Sequence, residues 1–585
     1  MRKGFLSFFI PIFILSGCAD SSFTKASKVK VMMEKSKDYH VVQSIKEVNK
    51  GEDVTFDVIL PASAQLVSVS YENYEVLNQV DNTFELVLKN IQYPVVVSME
   101  VARESFHYYG NGGVTKDGKD EVKVPIYQYH LRENSINGYS FFTRDGYLPL
   151  GWNSKADGTG DFISFGSRIP YDISSLYLQW IKETDISCFE TSPAGSELEI
   201  IQYHGDATEV VIPLTIDGKK VTGIAKNAFA SSNLKRVILG KNVHILGKEA
   251  FYETSLEEVY LCDSITSLGS FAFPSSVKKI HINATELPCF SGTYYDTFPD
   301  KIDYLARIKD QKKIVLFSGS STRYGYDSTL IEKAYPEYAV SNMGVFAYVN
   351  IKPQLDVITH FMNEGDILLS SPEFDNHCLD NQFGLTDDFE WNLFAFFESD
   401  YDLLDYIDVS NYPQFFPSLS EFLRERTMMS KRDYSIVAKR FDDDENSYSF
   451  DTYNMEGDFI LPREGNATDT HIMQPLDEYT LNTITPELVS SLNAIYQSLL
   501  DKNLNVYFTF SPKNKHCLKE NTTLEERNKV EQYLHENLIV PIISEWKNFI
   551  LPGTSFYLVD NHLSTIAAQK RTRQVISDLS KYLNI

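Results

Sequence analysis

The sequence predicts a multidomain chain with N-terminal all-β modules, a short repeat solenoid and a C-terminal α/β domain. Three patterns predict it. Short alternating apolar runs broken by Pro, Asn and Asp fill residues 41–101 (VTFDVIL, LVSVSY, FELVLKN, VVVSMEV), the period-two signature of half-buried strands. A 22-residue repeat with one strand-like run per unit occupies the middle. After it, uninterrupted apolar runs of strand length alternate with helical stretches, as in a parallel sheet covered on both faces. With 585 residues, the chain exceeds what a single core supports.

Residues 1–18 carry Arg2 and Lys3, the apolar run FLSFFIPIFIL and then Leu15-Ser16-Gly17-Cys18. The apolar run is short for a membrane span and has the layout of a secretory signal. Small residues before a Cys resemble a bacterial lipobox. The resemblance implies that Cys18 is the lipid-modified mature N-terminus, anchoring the protein extracytoplasmically at the bacterial cell surface. Residues 19–40, polar and rich in Lys and Ser, read as a tether.

Residues 41–105 then predict a small β-sandwich. Residues 106–185 read as a small β module, with Gly146-Tyr147, Gly151-Trp152 and Tyr177 to Trp180. These pairs resemble modules of bacterial surface proteins, which implies adhesion or simple spacing.

In residues 195–284 the phrases VTGIAKNAF, VHILGKEAF and ITSLGSFAF place Ala-Phe at 228/229, 250/251 and 272/273, each followed by a strand-like run. A unit this short cannot bury its own apolar face and must stack on its neighbours. Ile224, Leu246, Leu268, Phe229, Phe251 and Phe273 are then core. The phrases resemble BspA-like leucine-rich repeats, which implies a surface location and contact with host or cell-surface proteins.

The net charge of −26 offers no basic face for nucleic acid. The 13% aromatic content suits both β cores and surfaces that stack on sugars. The five other cysteines, Cys188, Cys262, Cys289, Cys378 and Cys517, are widely spaced and odd in number, so neither a metal site nor a disulfide framework follows. No cofactor motif is present.

Residues 305–585 hold the candidate chemistry. Lys312 to Gly325 read KKIVLFSGSSTRYG, a buried strand delivering a hydroxyl into a turn opened by Gly319. A serine needs an imidazole to take its proton and a carboxylate to hold that imidazole. Asp560 and His562 stand in the last loop, before an amphipathic C-terminal helix. At these residues the sequence resembles the SGNH (GDSL-like) hydrolases.

The resemblance implies a three-layer, flavodoxin-like fold with Ser321 as nucleophile in Gly319-Ser320-Ser321, His562 as general base and Asp560 as its orienting carboxylate. It further implies an oxyanion hole from the N–H groups of Ser321 and Gly344, with Asn342 or Asn376 as a further donor. The third family block, Gly-x-Asn-Asp, is replaced by Ser371-Pro372-Glu373-Phe374. The implied activity is a serine esterase removing or transferring small acyl groups, such as acetyl, on carbohydrates. The alternative is a surface adhesin or glycan-binding lipoprotein with an inactive hydrolase-like domain.

Residues 376–480 interrupt the α/β pattern and are too long for a simple connection. A lid over the strand ends and a structural elaboration are the two readings. The run Asp442 to Glu445 lacks the spaced ligands of a calcium loop. His377 and His516 read as ordinary loop histidines.

Overall fold

The structure, a computed structural model, describes residues 28–583 apart from 35, 37–38, 43, 62–63, 81, 104, 125–133, 138–140, 171, 291–293, 378, 386–390, 430–452, 471 and 473–475. Cys18, Cys378 and the run Asp442 to Glu445 lie outside the described residues, as does most of the proposed tether.

The N-terminal unit starts earlier than the expected residue 41. Strand Lys28–Met33 pairs antiparallel with Ile45–Asn49 and parallel with Val95–Val97. The sequence KVKVMM alternates, so Val29, Val31 and Met33 are buried while Lys28 and Lys30 face solvent. The part of the polar-tether expectation that falls on these residues is therefore corrected: the Lys content masked a period of two. Strands His40–Val42, Val54–Ile59, Thr83–Leu88 and Tyr74–Val80 form a second, antiparallel sheet. The two sheets share a core around Val31, Phe56, Leu86 and Val97.

The next unit is a five-stranded sheet in the order Glu121–Val124, Phe106–Tyr109, Ser175–Lys182, Tyr147–Asn153, Phe162–Ile163. Trp152 is its buried centre, with Nε1 donating to the Ser135 carbonyl at 3.1 Å.

The repeat region stacks two parallel ladders. Pairing joins residues 22 apart: Gly223 with Ile245, Ile245 with Ser267, and Arg236 with Glu258. The same step stacks Phe229 on Phe251 at 4.8 Å and Phe251 on Phe273 at 5.4 Å. Ile224 and Leu246 are buried and Leu268 is partly so. The strand-rich face is covered by the preceding unit, where Leu148, Leu150, Phe162 and Ile181 pack on Val211, Ile238 and Tyr260.

Strands Ala339–Asn342, Lys313–Phe317, Ile367–Ser370 and Asn505–Phe508 form a four-stranded parallel sheet in that spatial order. Every residue of the first three strands is buried. Helix Pro486–Leu500 packs on strand Asn505–Phe508, and helices Ser328–Ala334 and Thr565–Leu579 pack on one another. The chain runs outward from Lys313–Phe317 in both directions, so a topological switch point lies between this strand and Ile367–Ser370. The carboxyl ends of strands at such a point form a crevice.

The described part of the 376–480 insertion splits into two roles. Residues 391–429 close the end of the solenoid. Phe416 packs on Phe273 in a tilted pair with ring centroids 4.8 Å apart, the Tyr401–Tyr406 turn packs on strand Lys279–Asn283, and Arg426 bridges Asp263 at 2.7 Å and Glu398 at 2.8 Å. An open repeat end would expose core, and these aromatics cover it. The structural elaboration thus describes this half, and the lid does not. Residues 453–463 instead wrap the turn that follows Ser321: Asp458 accepts from the Ser328 N–H and hydroxyl, and the Glu456 carbonyl from the Asn342 N–H.

Candidate active site

Ser321 sits in the short helical turn Ser320–Arg323, directly past the central strand, and is fully buried. Gly319 and Gly344 permit the close approach. A Cβ on Gly344 would come within 2.5 Å of the Arg323 nitrogen, and one on Gly319 within 2.6 Å of Ala347 and Glu373.

The expected oxyanion donors are all engaged. Ser321 N–H donates to Glu373 Oε1 at 2.8 Å, and Gly344 N–H to Asn342 Oδ1 at 3.1 Å. The Asn342 amide donates to the Thr322 carbonyl at 3.1 Å and to Asp458 at 2.8 Å. Asn376 is spent on Asp477 and Glu478. The amides of Ser321, Gly344 and Asn342, expected as oxyanion donors, thus meet acceptors within the protein here, and Glu373, part of the Ser371-Pro372-Glu373-Phe374 departure, accepts from the Ser321 amide. The departure at Glu373 was visible in the sequence, but its partner was not.

Glu373 is buried, and burial together with the nearby Asp375 charge pushes its carboxyl up to about 7. The Ser321 hydroxyl is buried beside it, close enough to help lower the Glu373 carboxyl, and completes no well-aligned hydrogen bond among the described residues.

The Asp560–His562 loop comes to the same end of the sheet, held by a buried polar network. Lys513 Nζ donates to Asp375 at 2.9 Å and to Asn561 at 3.0 Å and meets Asp477 at 2.5 Å. The Asn561 amide also donates to Asp375. The Asp560 carboxylate accepts from the Asn514 amide at 2.7 Å and has the Cys517 thiol beside it. The loop carries a strained position, Leu558, at φ +59°, in a region unfavourable for residues with a Cβ.

His562 is half-buried and stacks on Tyr324 at 4.1 Å, three residues beyond Ser321. His562 thus lies against the turn that follows Ser321, and its ring makes no hydrogen bond to Asp560 or Ser321 among the described residues. Burial, then the Arg323 and Arg463 charges, hold His562 down at about 3. Charging this ring, as a general base must, is opposed by the burial and by the two guanidinium charges.

Sequence reasoning missed Arg463, Arg571 and Lys513, because an isolated basic residue in a loop or on a helix carries no local signal of burial. Arg571 donates to the Ser321 carbonyl at 3.1 Å and the Phe510 carbonyl at 3.3 Å. His377 stands in a turn, as expected, and meets the Tyr348 hydroxyl, whereas His516, expected in a loop, lies in the 3-10 turn Lys515–Cys517, 3.5 Å from Asp469.

The family model for the BspA type Leucine rich repeat region matches residues 203–300 in six copies. Over these residues the chain is similar to that repeat type. A "Putative Gly-rich membrane protein" of Evansella cellulosilytica is 26% identical over 158 residues, which is 26% of this chain and 17% of that relative. The crystal structure of a T. pallidum leucine-rich repeat protein aligns at 22% identity over 17% of this chain and 71% of its own, with a TM-score of 0.13. Within the BspA-type region, the residue before each Ala-Phe takes a left-handed backbone: Asn227, Glu249 and Phe271, at φ +54° to +59°. No helix of the described residues is long and apolar enough to cross a membrane.

Proposed function

We propose that this is a surface-binding lipoprotein, an adhesin in which the BspA-type repeats and β modules meet protein or glycan partners. In this reading Cys18 anchors the chain to the membrane, and the C-terminal SGNH-like domain, residues 305–585, holds ligand without hydrolysing it. The BspA-type match and the partial similarity to a Gly-rich membrane protein support the surface location. The chain's own β module covers the repeats' strand-rich face, so contact falls to the turns, where Tyr252 and the 72%-exposed Phe271 stand out.

The observation that carries the choice is the Ser321 N–H on Glu373 at 2.8 Å. With that amide engaged, negative charge developing at a substrate carbonyl finds no donor from Ser321. A fluorophosphonate probe followed by peptide mapping tests this: Ser321 stays unlabelled, and a labelled Ser321 peptide overturns it.

A second reading has its own observation. The buried Ser321 hydroxyl, without an aligned partner among the described residues at the carboxyl end of the central strand, and the strained Leu558 support a serine esterase acting on acylated carbohydrates. Ser321 would then be the nucleophile, His562 the base and Asp560 its support. Aryl acetate turnover that vanishes in Ser321→Ala would favour it.

A further inference from the structure

The surroundings of His562 are built around buried positive charge. Arg463 is 5% exposed and has no carboxylate among its described hydrogen-bond and ion-pair partners. Its Nε donates to the Leu563 carbonyl at 2.9 Å, Nη1 to the Phe459 carbonyl at 2.6 Å and Nη2 to the Tyr324 carbonyl at 3.2 Å. That uses three of the five N–H groups of a guanidinium. The nearby carboxylate of Asp458 is taken up by Ser328 and Asn342.

Arg323, also buried, shares the same two rings. Its guanidinium lies 5.4 Å from Tyr324 and 5.7 Å from Phe459, and that of Arg463 lies 5.5 Å and 5.3 Å from them. The rings are themselves 4.8 Å apart. His562 stacks on the far partner of this group, Tyr324, and is half-exposed together with Tyr557, Leu558 and Val559, so this loop forms the site's rim. Burial of a guanidinium whose hydrogen bonds go to carbonyls, with Asp458 nearby as counter-charge but not bonded to it, is costly, and burial still lowers its pKa. The cost is offset where an anion completes the shell, since guanidinium groups bind carboxylate and phosphate oxygens through paired N–H donors.

We propose that Arg463, with Arg323 and the His562 ring, forms a binding site for a small oxyanion, a carboxylate or phosphate carried by the ligand of this domain. The ligand class is therefore an acidic one, such as a glycan bearing carboxylate or phosphate groups. The site stands whether or not Ser321 is an activated nucleophile, since no step at the serine is involved. If Arg463 served only to clamp residues 459–463 to Tyr324 and Leu563, added anions would leave the site unchanged.

The test is a titration of the purified full-length protein with acetate, phosphate and sulfate, following the His562 ring resonances by NMR. The expected result is a saturable shift and a higher His562 pKa with at least one anion, because a bound anion offsets the two guanidinium charges that disfavour imidazolium. Arg463→Gln should weaken that binding roughly tenfold or more, while Ser321→Ala should leave it intact. A His562 resonance that none of the three anions moves overturns the proposal without any variant. So does an anion response of equal strength in folded Arg463→Gln. Fluorophosphonate labelling answers separately, so failure here and failure of the adhesin reading are distinguishable.

Discussion

Glu373 Oε1 accepts the Ser321 N–H at 2.8 Å across the switch point of the parallel sheet, tying the loop after one strand to the turn after its neighbour. The contact makes the domain's stability depend on pH. Glu373 is raised from 4.5 in the unfolded chain to about 7 when folded, so the native state binds more protons between these values. The contribution is complete below about pH 4.5 and is lost as pH rises through about 7. His562 acts in the opposite sense: lowered from 6.5 to about 3, it costs stability as pH falls below 6.5. Glu373→Gln keeps an acceptor for the amide and removes the titration. Melting temperature in the variant should therefore rise more steeply with pH between 5 and 6.5 than in wild type, and superimposable profiles would refute the assignment.

His281 joins the solenoid to its cap, meeting Glu258 at 2.9 Å and Asp405 at 2.8 Å. Burial alone would lower its pKa, and the two carboxylates outweigh that, raising it from 6.5 to about 9. Its stabilisation is full below about pH 6.5 and disappears as pH rises through 9. His281→Gln should cost roughly 2–3 kcal/mol at pH 6 and little at pH 9.5. Urea midpoints at the two pH values measure it; an equal loss at both would point to packing instead.

Phe251 is sandwiched between Phe229 and Phe273 and is fully buried. Phe251→Ala should destabilise by about 3–5 kcal/mol, through lost transfer energy plus the cavity left in a stack that cannot collapse on one side alone. Chemical denaturation checks the value. A loss under about 1 kcal/mol would mean the stack relaxes freely.

Arg426→Met leaves two buried carboxylates, Asp263 and Glu398, without their shared cation. Removing one partner from a buried ion group costs about 3–5 kcal/mol. Faster hydrogen exchange should then concentrate in strand Glu258–Cys262 and helix Phe415–Met429, where the two halves of the junction meet. Exchange unchanged in both elements would argue that the aromatic contacts alone hold the cap.

The proposed anchoring through Cys18 is tested by metabolic labelling with a palmitate analogue. Cys18→Ser should abolish incorporation and release the protein from membranes. Labelling that persists would remove Cys18 from that role.

Periodicity made much of the scaffold legible. The 22-residue phrase spacing reappears as strand register, because in a solenoid each unit can bury its apolar side only on an identical neighbour. The run Ile314 to Phe317 became a central parallel strand because an apolar stretch of that length must be covered on both faces. Strand Lys28–Met33 was missed since lysines on the solvent face hid its alternation. The cap formed by residues 391–429 was beyond reach as well, because an aromatic-rich insertion fits a lid and a buttress equally until its partner surface is known.

At the site, the sequence by itself determined which residues arrive: Ser321 after a strand, Asp560 and His562 on the last loop, and an unusual Glu373 between them. Local patterns fix these because a strand, a turn and a helix start are each written within a few residues. Only the tertiary structure decided what the residues do to one another. Hydrogen-bond direction, burial and the charge around His562 arise from contacts between segments 100 or more residues apart, such as Arg463 with Leu563 and Tyr324. No local pattern encodes them, since a side chain's proton affinity follows from the groups that folding brings around it.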